Sequence, residues 1–181
     1  MISYILAVIT GILALGADQF TKWWIPTVYE ANGLVLKQDS IPFIPHIVEI
    51  HYTENGGAAW GLLDGHPWLL VSITIVVMLV IIASLLKYGI RDKLMFWASM
   101  LILSGGAGNL IDRIQFEHVR DFLHLEFWPT YPVFNVADCT IVIGVGLVMF
   151  SLIKSIIDEQ KSKSNAHAIT NQDNNDTNET V

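Results

Sequence analysis

Apolar residues in this chain gather into four long runs separated by polar connections. Ile2 to Ala17 carries no charge. Pro67 to Leu86 is also uncharged, rich in Val, Ile and Leu, and apolar on every face of a helix. Leu94 to Ile111 and Val133 to Ile153 complete the set. About 20 apolar residues in a helix cross the ~30 Å hydrocarbon core of a bilayer, so the pattern predicts transmembrane helices at about 2–17, 67–86, 94–111 and 133–153. Between the first two runs, about 24–65, Pro26, Pro42, Pro45 and many polar residues argue against a span. There Val48, Ile50 and Tyr52 alternate with Glu49, His51 and Thr53, the period-2 signature of a strand with one apolar face. Asn55-Gly56-Gly57 then turns the chain. The fold class expected is an all-α membrane protein of four transmembrane helices with a small extracytoplasmic β-sheet platform.

Composition sharpens this picture. The chain is 52% apolar and 15% charged, against about 25% charged in a typical soluble domain. Its net charge of −7 is weighted towards the C-terminus, where Asp158, Glu159, Asp173, Asp176 and Glu179 lie. Residues 158–181 are rich in Asn, Asp, Thr and Ser and have no aromatic residue, which predicts a disordered polar cytoplasmic tail behind one domain at 1–157. Lys87, Arg91 and Lys93 follow the second run, and Lys154, Lys161 and Lys163 follow the fourth. The positive-inside rule puts both clusters and both termini in the cytoplasm, and 18–66 and 112–133 outside. Trp23, Trp24, Trp68 and Trp128 then fall near the outer ends of spans, where interfacial aromatics sit. Ala14-Leu15-Gly16-Ala17 ends in small residues that suit a cleavage site, but no Lys or Arg opens the first run and three more spans follow, so a retained helix is the expectation. No dense basic patch suggests nucleic acid. Cys139 is the only cysteine, which rules out an intrachain disulfide.

The candidate chemistry lies at span ends. Asp18 closes the first run, Asn109, Asp112 and Arg113 close the third, and Asn135 and Asp138 open the fourth. With alternating direction all of them reach the outer leaflet. Asn109, Asp112 and Arg113 share one helix face by their i, i+3 and i, i+4 spacing, and Asn135 and Asp138 share another. Polar groups at such depth face a bundle interior or a watered cavity and pair with one another. One reading makes them interhelical glue, with Arg113 neutralising Asp112 or Asp18. That reading suits Asp18, Lys22, Asp112 and Arg113 better than Asp121 and Asp138, which exceed the cations available. Two facing carboxylates would share a proton and do acid and base work on a water molecule, an aspartyl protease site at a membrane surface that needs no metal and no cofactor.

Other chemistries fit less well. Cys139 beside Asp138 has the setting of a small apolar filler. No His-Glu-x-x-His pattern accompanies the histidines of the outer segments. Gly105 to Gly108 lacks the context of a nucleotide loop and reads as a close helix contact. A metal-dependent membrane lipid transferase, with Asp112, Asp121 and Asp138 on magnesium, is the enzymatic alternative. A transporter or proton pathway is the non-enzymatic one, though it calls for polar groups spread through the bilayer depth.

At these residues the chain resembles lipoprotein signal peptidase, the signal peptidase II family of bacterial membrane aspartyl proteases, over about residues 1–157. Asp18-Gln19-Phe20-Thr21-Lys22, Asn55-Gly56-Gly57-Ala58-Ala59-Trp60-Gly61, Gly108-Asn109-Leu110-Ile111-Asp112-Arg113, Val119-Arg120-Asp121-Phe122 and Phe134-Asn135-Val136-Ala137-Asp138 are similar to its five motifs, in order. The resemblance implies that Asp121 and Asp138 are the catalytic dyad. It implies that Asn55, Asn109, Arg113 and Asn135 hold substrate or orient the aspartates, with Asp18 and Lys22 in support. It also implies prolipoprotein substrates with a diacylglyceryl-modified cysteine, cleavage just before that cysteine, contact with membrane lipids, inhibition by globomycin, and residence in the bacterial cytoplasmic membrane. Two departures stand out. The small-residue run reads Ser-Gly-Gly-Ala-Gly at 104–108, and Arg120 stands beside Asp121. Neighbours in an extended segment point oppositely, which would direct Arg120 to lipid headgroups.

Overall fold

The computed structural model describes residues 1–88 and 92–178. Four helices and a three-stranded sheet follow in the order α1 (Ile2–Ala31), β1 (Ile41–Ile44), β2 (Val48–Asn55), α2 (Pro67–Tyr88), α3 (Lys93–Phe116), β3 (Val119–Leu125) and α4 (Val136–Asn178). Among the described residues, four helical stretches are long and apolar enough to cross a membrane: Ile2–Ala31, Pro67–Lys87, Lys93–Phe116 and Val136–Lys161. Their outward faces carry exposed Leu79, Val80, Val142 and Phe150, a surface that suits hydrocarbon rather than water. The protein is a multi-pass membrane protein.

The third helix sits at the centre, packed against α1, α2 and α4. Small residues allow this. A Cβ added to Gly105 would lie 2.3 Å from the Ala137 carbonyl oxygen and 2.4 Å from Thr140 Oγ1, so α3 and α4 meet backbone to backbone. One Cβ on Gly144 would lie 2.9 Å from the Ala98 carbonyl oxygen. On the α1 side, Ser104 Oγ donates to the Gly11 carbonyl at 2.8 Å. With lipid tails as apolar as leucine, this close packing and hydrogen bonding hold helices together.

At one end of the bundle the three strands form an antiparallel sheet in the order β1-β2-β3. It rests on the last turns of α1, where Ile25 and Tyr29 meet Tyr52 of β2 and Phe122 of β3 in a buried cluster. Tyr29 Oη donates to the Ile50 carbonyl at 2.7 Å, which fixes the tilt of the sheet on the helix. The β2–β3 register shifts between Ile50 and Thr53, a bulge that leaves Thr53 opposite Asp121 and Asn55 opposite Val119.

Several boundaries differ from the sequence expectations. The first helix runs to Ala31 and carries Pro26 inside it, because its last turns have the sheet to pack on. The connection at 112–133 contains a strand, β3. Asp121 interrupts its apolar alternation, so no period-2 signal marks it. The fourth helix starts at Val136, since Phe134 is still paired with Leu123 in a strand-like bridge. Where a disordered tail is expected from residue 158, helical backbone continues to Asn178. Arg91 of the basic loop and residues 179–181 lie outside the described residues.

Two substitutions test the packing. Gly105→Ala forces a methyl into the α3–α4 contact and lowers the thermal midpoint in detergent, at a cost of about 1–3 kcal/mol. Gly146→Ala faces open space and lowers nothing; equal behaviour of the two would contradict the close contact. Glu117 ends α3 with φ of 63°, a left-handed conformation that costs a residue with a Cβ about 1–2 kcal/mol. Glu117→Gly therefore raises the midpoint, and an unchanged or lower midpoint would show the strain is not there.

Candidate active site

Four elements, β2, β3, α3 and α4, converge where β3 passes the start of α4. The Phe134–Leu123 bridge is made by Leu123 N to the Phe134 carbonyl at 2.8 Å and Phe134 N to the Leu123 carbonyl at 3.0 Å. It sets Asn135 and Asp138 beside Asp121. Asn135 caps α4 through its side chain. Its Oδ1 accepts from Asp138 N at 3.0 Å, and Asp138 Oδ2 accepts from Asn135 N at 3.1 Å, a reciprocal cap built from Asn and Asp. The same cap therefore both starts the helix and fixes the Asp138 carboxylate.

A chain of amides links the two aspartates. Asn135 Nδ2 donates to Asp121 Oδ1 at 2.6 Å and to Asn109 Oδ1 at 3.0 Å. Asn109 Nδ2 donates to Asp138 Oδ1 at 2.7 Å. On the sheet, Asn55 lies diagonally across the β2–β3 ladder from Asp121 and donates to its Oδ2 at 3.0 Å. Asp121 is 2% exposed. Burial, reinforced by the Asp138 charge, pushes its carboxyl up to about 7, against the hydrogen bonds from Asn55 and Asn135 that favour the ionised form. Asp138 is less buried and lines an open cavity of about 260 Å³ together with Asn55, Asn109, Arg113 and Asp121. Tyr131, Phe134 and Val142 supply part of its apolar wall.

Behind these amides lies a separate cluster of charges. Lys22 Nζ is 3.0 Å from Asp18 Oδ2 and 3.4 Å from Asp112 Oδ2, with all three side chains at most 1% exposed. It also donates to Asn109 Oδ1 at 3.0 Å. Asp18 Oδ1 accepts from Ala137 N at 2.9 Å, satisfying an open donor at the start of α4. Arg120 Nη2 reaches Asp112 Oδ1 at 2.8 Å.

Of the residues singled out from sequence, Asn55, Asn109, Arg113, Asp121 and Asp138 share the cavity. Asn135 is buried behind it as the bridge, and Asp18 and Lys22 sit in the charge cluster. Three placements differ from expectation. Arg113 does not neutralise Asp112 or Asp18; its Nη2 donates to the Gly57 carbonyl at 2.9 Å. Its buried Nε has no hydrogen-bond partner among the described residues. Asp112 turns to Lys22 and Arg120, away from the cavity that Asp121 and Asp138 line. Arg120 points away from Asp121 as strand geometry requires, but inward to Asp112 rather than to lipid, and is 14% exposed. Gln19, given no role from sequence beyond its place in the first motif, also enters this cluster: its Nε2 donates to Asp18 Oδ2 at 3.0 Å and to the Gly108 carbonyl at 3.1 Å. Its place one residue after Asp18, facing the small-residue run, was the available signal.

Comparison with known proteins agrees with this architecture. A family model described as Signal peptidase (SPase) II matches residues 10–154. Two solved structures, each described as a bacterial membrane enzyme structure by the in meso method, superpose with a TM-score of 0.71. One is 30% identical and the match covers 83% of this chain and 89% of that one. The other is 31% identical, covering 82% and 93%. The chain belongs to the signal peptidase II family, aspartic peptidases of the membrane whose substrates are prolipoproteins.

Proposed function

We propose that Asp121 and Asp138 hydrolyse the peptide bond just before the diacylglyceryl-modified cysteine of a prolipoprotein. The observation that carries this reading is that both carboxylates line one cavity and are linked through Asn135 and Asn109. In the resting pair one proton is shared, and it resides on the more buried Asp121. Asp138 takes a proton from water as the water oxygen attacks the scissile carbonyl, and Asp121 gives its proton to the carbonyl oxygen. The tetrahedral intermediate then collapses. Asp138 protonates the leaving nitrogen, the C–N bond breaks, and Asp121 recovers its proton from the intermediate's hydroxyl. Neither step needs a metal or a covalent enzyme intermediate.

Other residues take supporting roles. Arg113 Nε, buried and without a hydrogen-bond partner among the described residues, is a donor for a substrate carbonyl. Asn55, Asn109 and Asn135 orient the dyad, and Asp18 and Lys22 hold Asn109 and the start of α4. Globomycin competes for the same cavity, and membrane lipids border its apolar wall. The basic clusters at 87–93 and beyond Lys154 support cytoplasmic termini and a site at the outer face of the bacterial cytoplasmic membrane. Residues 1–157 form the protease, with 158–181 an appendage to it.

Asp121→Asn and Asp138→Asn each keep the size of the side chain and one of the two hydrogen bonds its carboxylate accepts. Each lowers cleavage of a diacylated prolipoprotein by roughly 100-fold or more while the protein still inserts. Retained turnover in either variant would remove that residue from the dyad.

The Asp121 proton also gives two pH dependences. Turnover falls as pH rises through about 7, where Asp121 ionises. An unfolded Asp ionises near 3.9, so between about 4 and about 7 the folded state binds the extra proton. Folding stability therefore decreases with rising pH across that window. Thermal unfolding of wild type minus Asp121→Asn isolates this slope, and parallel curves would show that Asp121 is not held protonated.

A further inference from the structure

Arg120 immediately precedes Asp121 and is held by every hydrogen-bonding part it has. Its backbone N–H donates to Asp112 Oδ2 at 3.0 Å. Its guanidinium forks onto the same carboxylate, Nε to Oδ2 at 3.2 Å and Nη2 to Oδ1 at 2.8 Å. Its carbonyl accepts from Asn135 Nδ2 at 3.4 Å. The remaining arm, Nη1, reaches the Lys22 carbonyl at 3.4 Å. That carbonyl lacks its ordinary helical partner because the residue four positions on is Pro26, which has no N–H. The guanidinium carbon also lies 4.6 Å from the Phe116 ring centroid.

These contacts tie one residue of β3 to α1, α3 and the cap of α4. The backbone of Arg120 is anchored at both its N–H and its carbonyl, its side chain packs behind the strand against Asp112 and Phe116, and the residue does not line the cavity. We propose that Arg120 is a positioning residue for the hydrolysis, acting through the β3 backbone to hold Asp121 in line with Asp138 and to keep water from its rear face. The inference rests on the reading of Asp121 as the catalytic acid. It assigns Arg120 and its partner Asp112 a role distinct from substrate binding.

The consequence differs from that of a substrate contact. Without the fork, the backbone of Arg120 keeps its bonds to Asp112 and Asn135 and β3 keeps its pairing with β2, but the side-chain ties to Asp112 and to the Lys22 carbonyl are lost, and Asp121 both shifts and gains hydration. A displacement of about 1 Å at a reacting group costs up to roughly 100-fold in rate. A hydrated Asp121 also ionises at lower pH than a buried one.

The test uses the full-length protein in detergent or bilayer and a diacylated prolipoprotein, with wild type, Arg120→Met, Arg120→Lys and, as control, Asp121→Asn. Arg120→Met is expected to lower kcat by roughly 10- to 100-fold, leave KM near the wild-type value, and move the alkaline limb of the pH–rate profile to lower pH. Arg120→Lys keeps the charge but not the fork, and recovers part of both effects. Wild-type kcat and an unmoved limb in Arg120→Met would overturn the proposal. So would a loss confined to KM or to thermal stability, which a substrate contact or a purely structural role would give. If Arg120→Met does not accumulate, Arg120→Lys carries the test, with a smaller kcat loss and limb shift supporting the proposal and wild-type values overturning it. Turnover by Asp121→Asn would instead remove the acid itself, and both readings with it.

Discussion

A carboxylate taken out of water must be given a cation, a set of hydrogen-bond donors or a proton, and this protein divides its buried carboxylates by which of these they receive. Asp18 and Asp112 are matched with Lys22 and Arg120. Asp121 and Asp138 receive amide donors from Asn55, Asn109 and Asn135, and among the described residues no cation lies within ion-pair distance of either. The paired set is structural. The unpaired set sits at the cavity wall, where burial and the neighbouring charge leave room for a proton. Removing one member of a buried pair typically costs about 3–5 kcal/mol, so the paired set holds its shape rigidly, and the amides stand on it: Lys22 also grips Asn109, and Asp18 also grips the first turn of α4.

The architecture follows from that division. Glycines at 105 and 144 draw α3 and α4 together along the bundle, which brings Asn109 to the start of α4. The Tyr29 hydroxyl and the apolar cluster around it seat the sheet on α1. The β2–β3 bulge then sets Asn55 diagonally across from Asp121, and the Phe134 bridge lays the α4 cap beside it. At the start of α4 the backbone N–H groups of Asn135, Ala137 and Asp138 are taken by the side chains of Asp138, Asp18 and Asn135. Little of the machinery is thus separable from the fold.

Much of this was legible in the residues. Long apolar runs with at most one charge made the spans legible, because a buried charge is costly enough to stand out. The i, i+3 spacing of Asn135 and Asp138 brought the two together, though as a reciprocal cap at the start of α4 rather than as one helix face. What lay outside reach was the pairing of distant segments. Asn55 and Asp121 meet only through a register that includes a bulge, and Asp121 itself breaks the alternation that would have marked β3. The partner of Arg120 was illegible for a similar reason. Strand geometry says it points away from Asp121, but not that the far side holds a buried Asp112 and a carbonyl left open by Pro26.

The proton on Asp121 can be observed directly. Infrared spectra of the protein recorded across the acidic to alkaline range, with Asp121→Asn subtracted, should show a protonated carboxyl C=O stretch that disappears with a midpoint of about 7. A band that is absent under mildly acidic conditions, or that titrates near the ordinary aspartate value of about 3.9, would contradict a dyad poised with one shared proton.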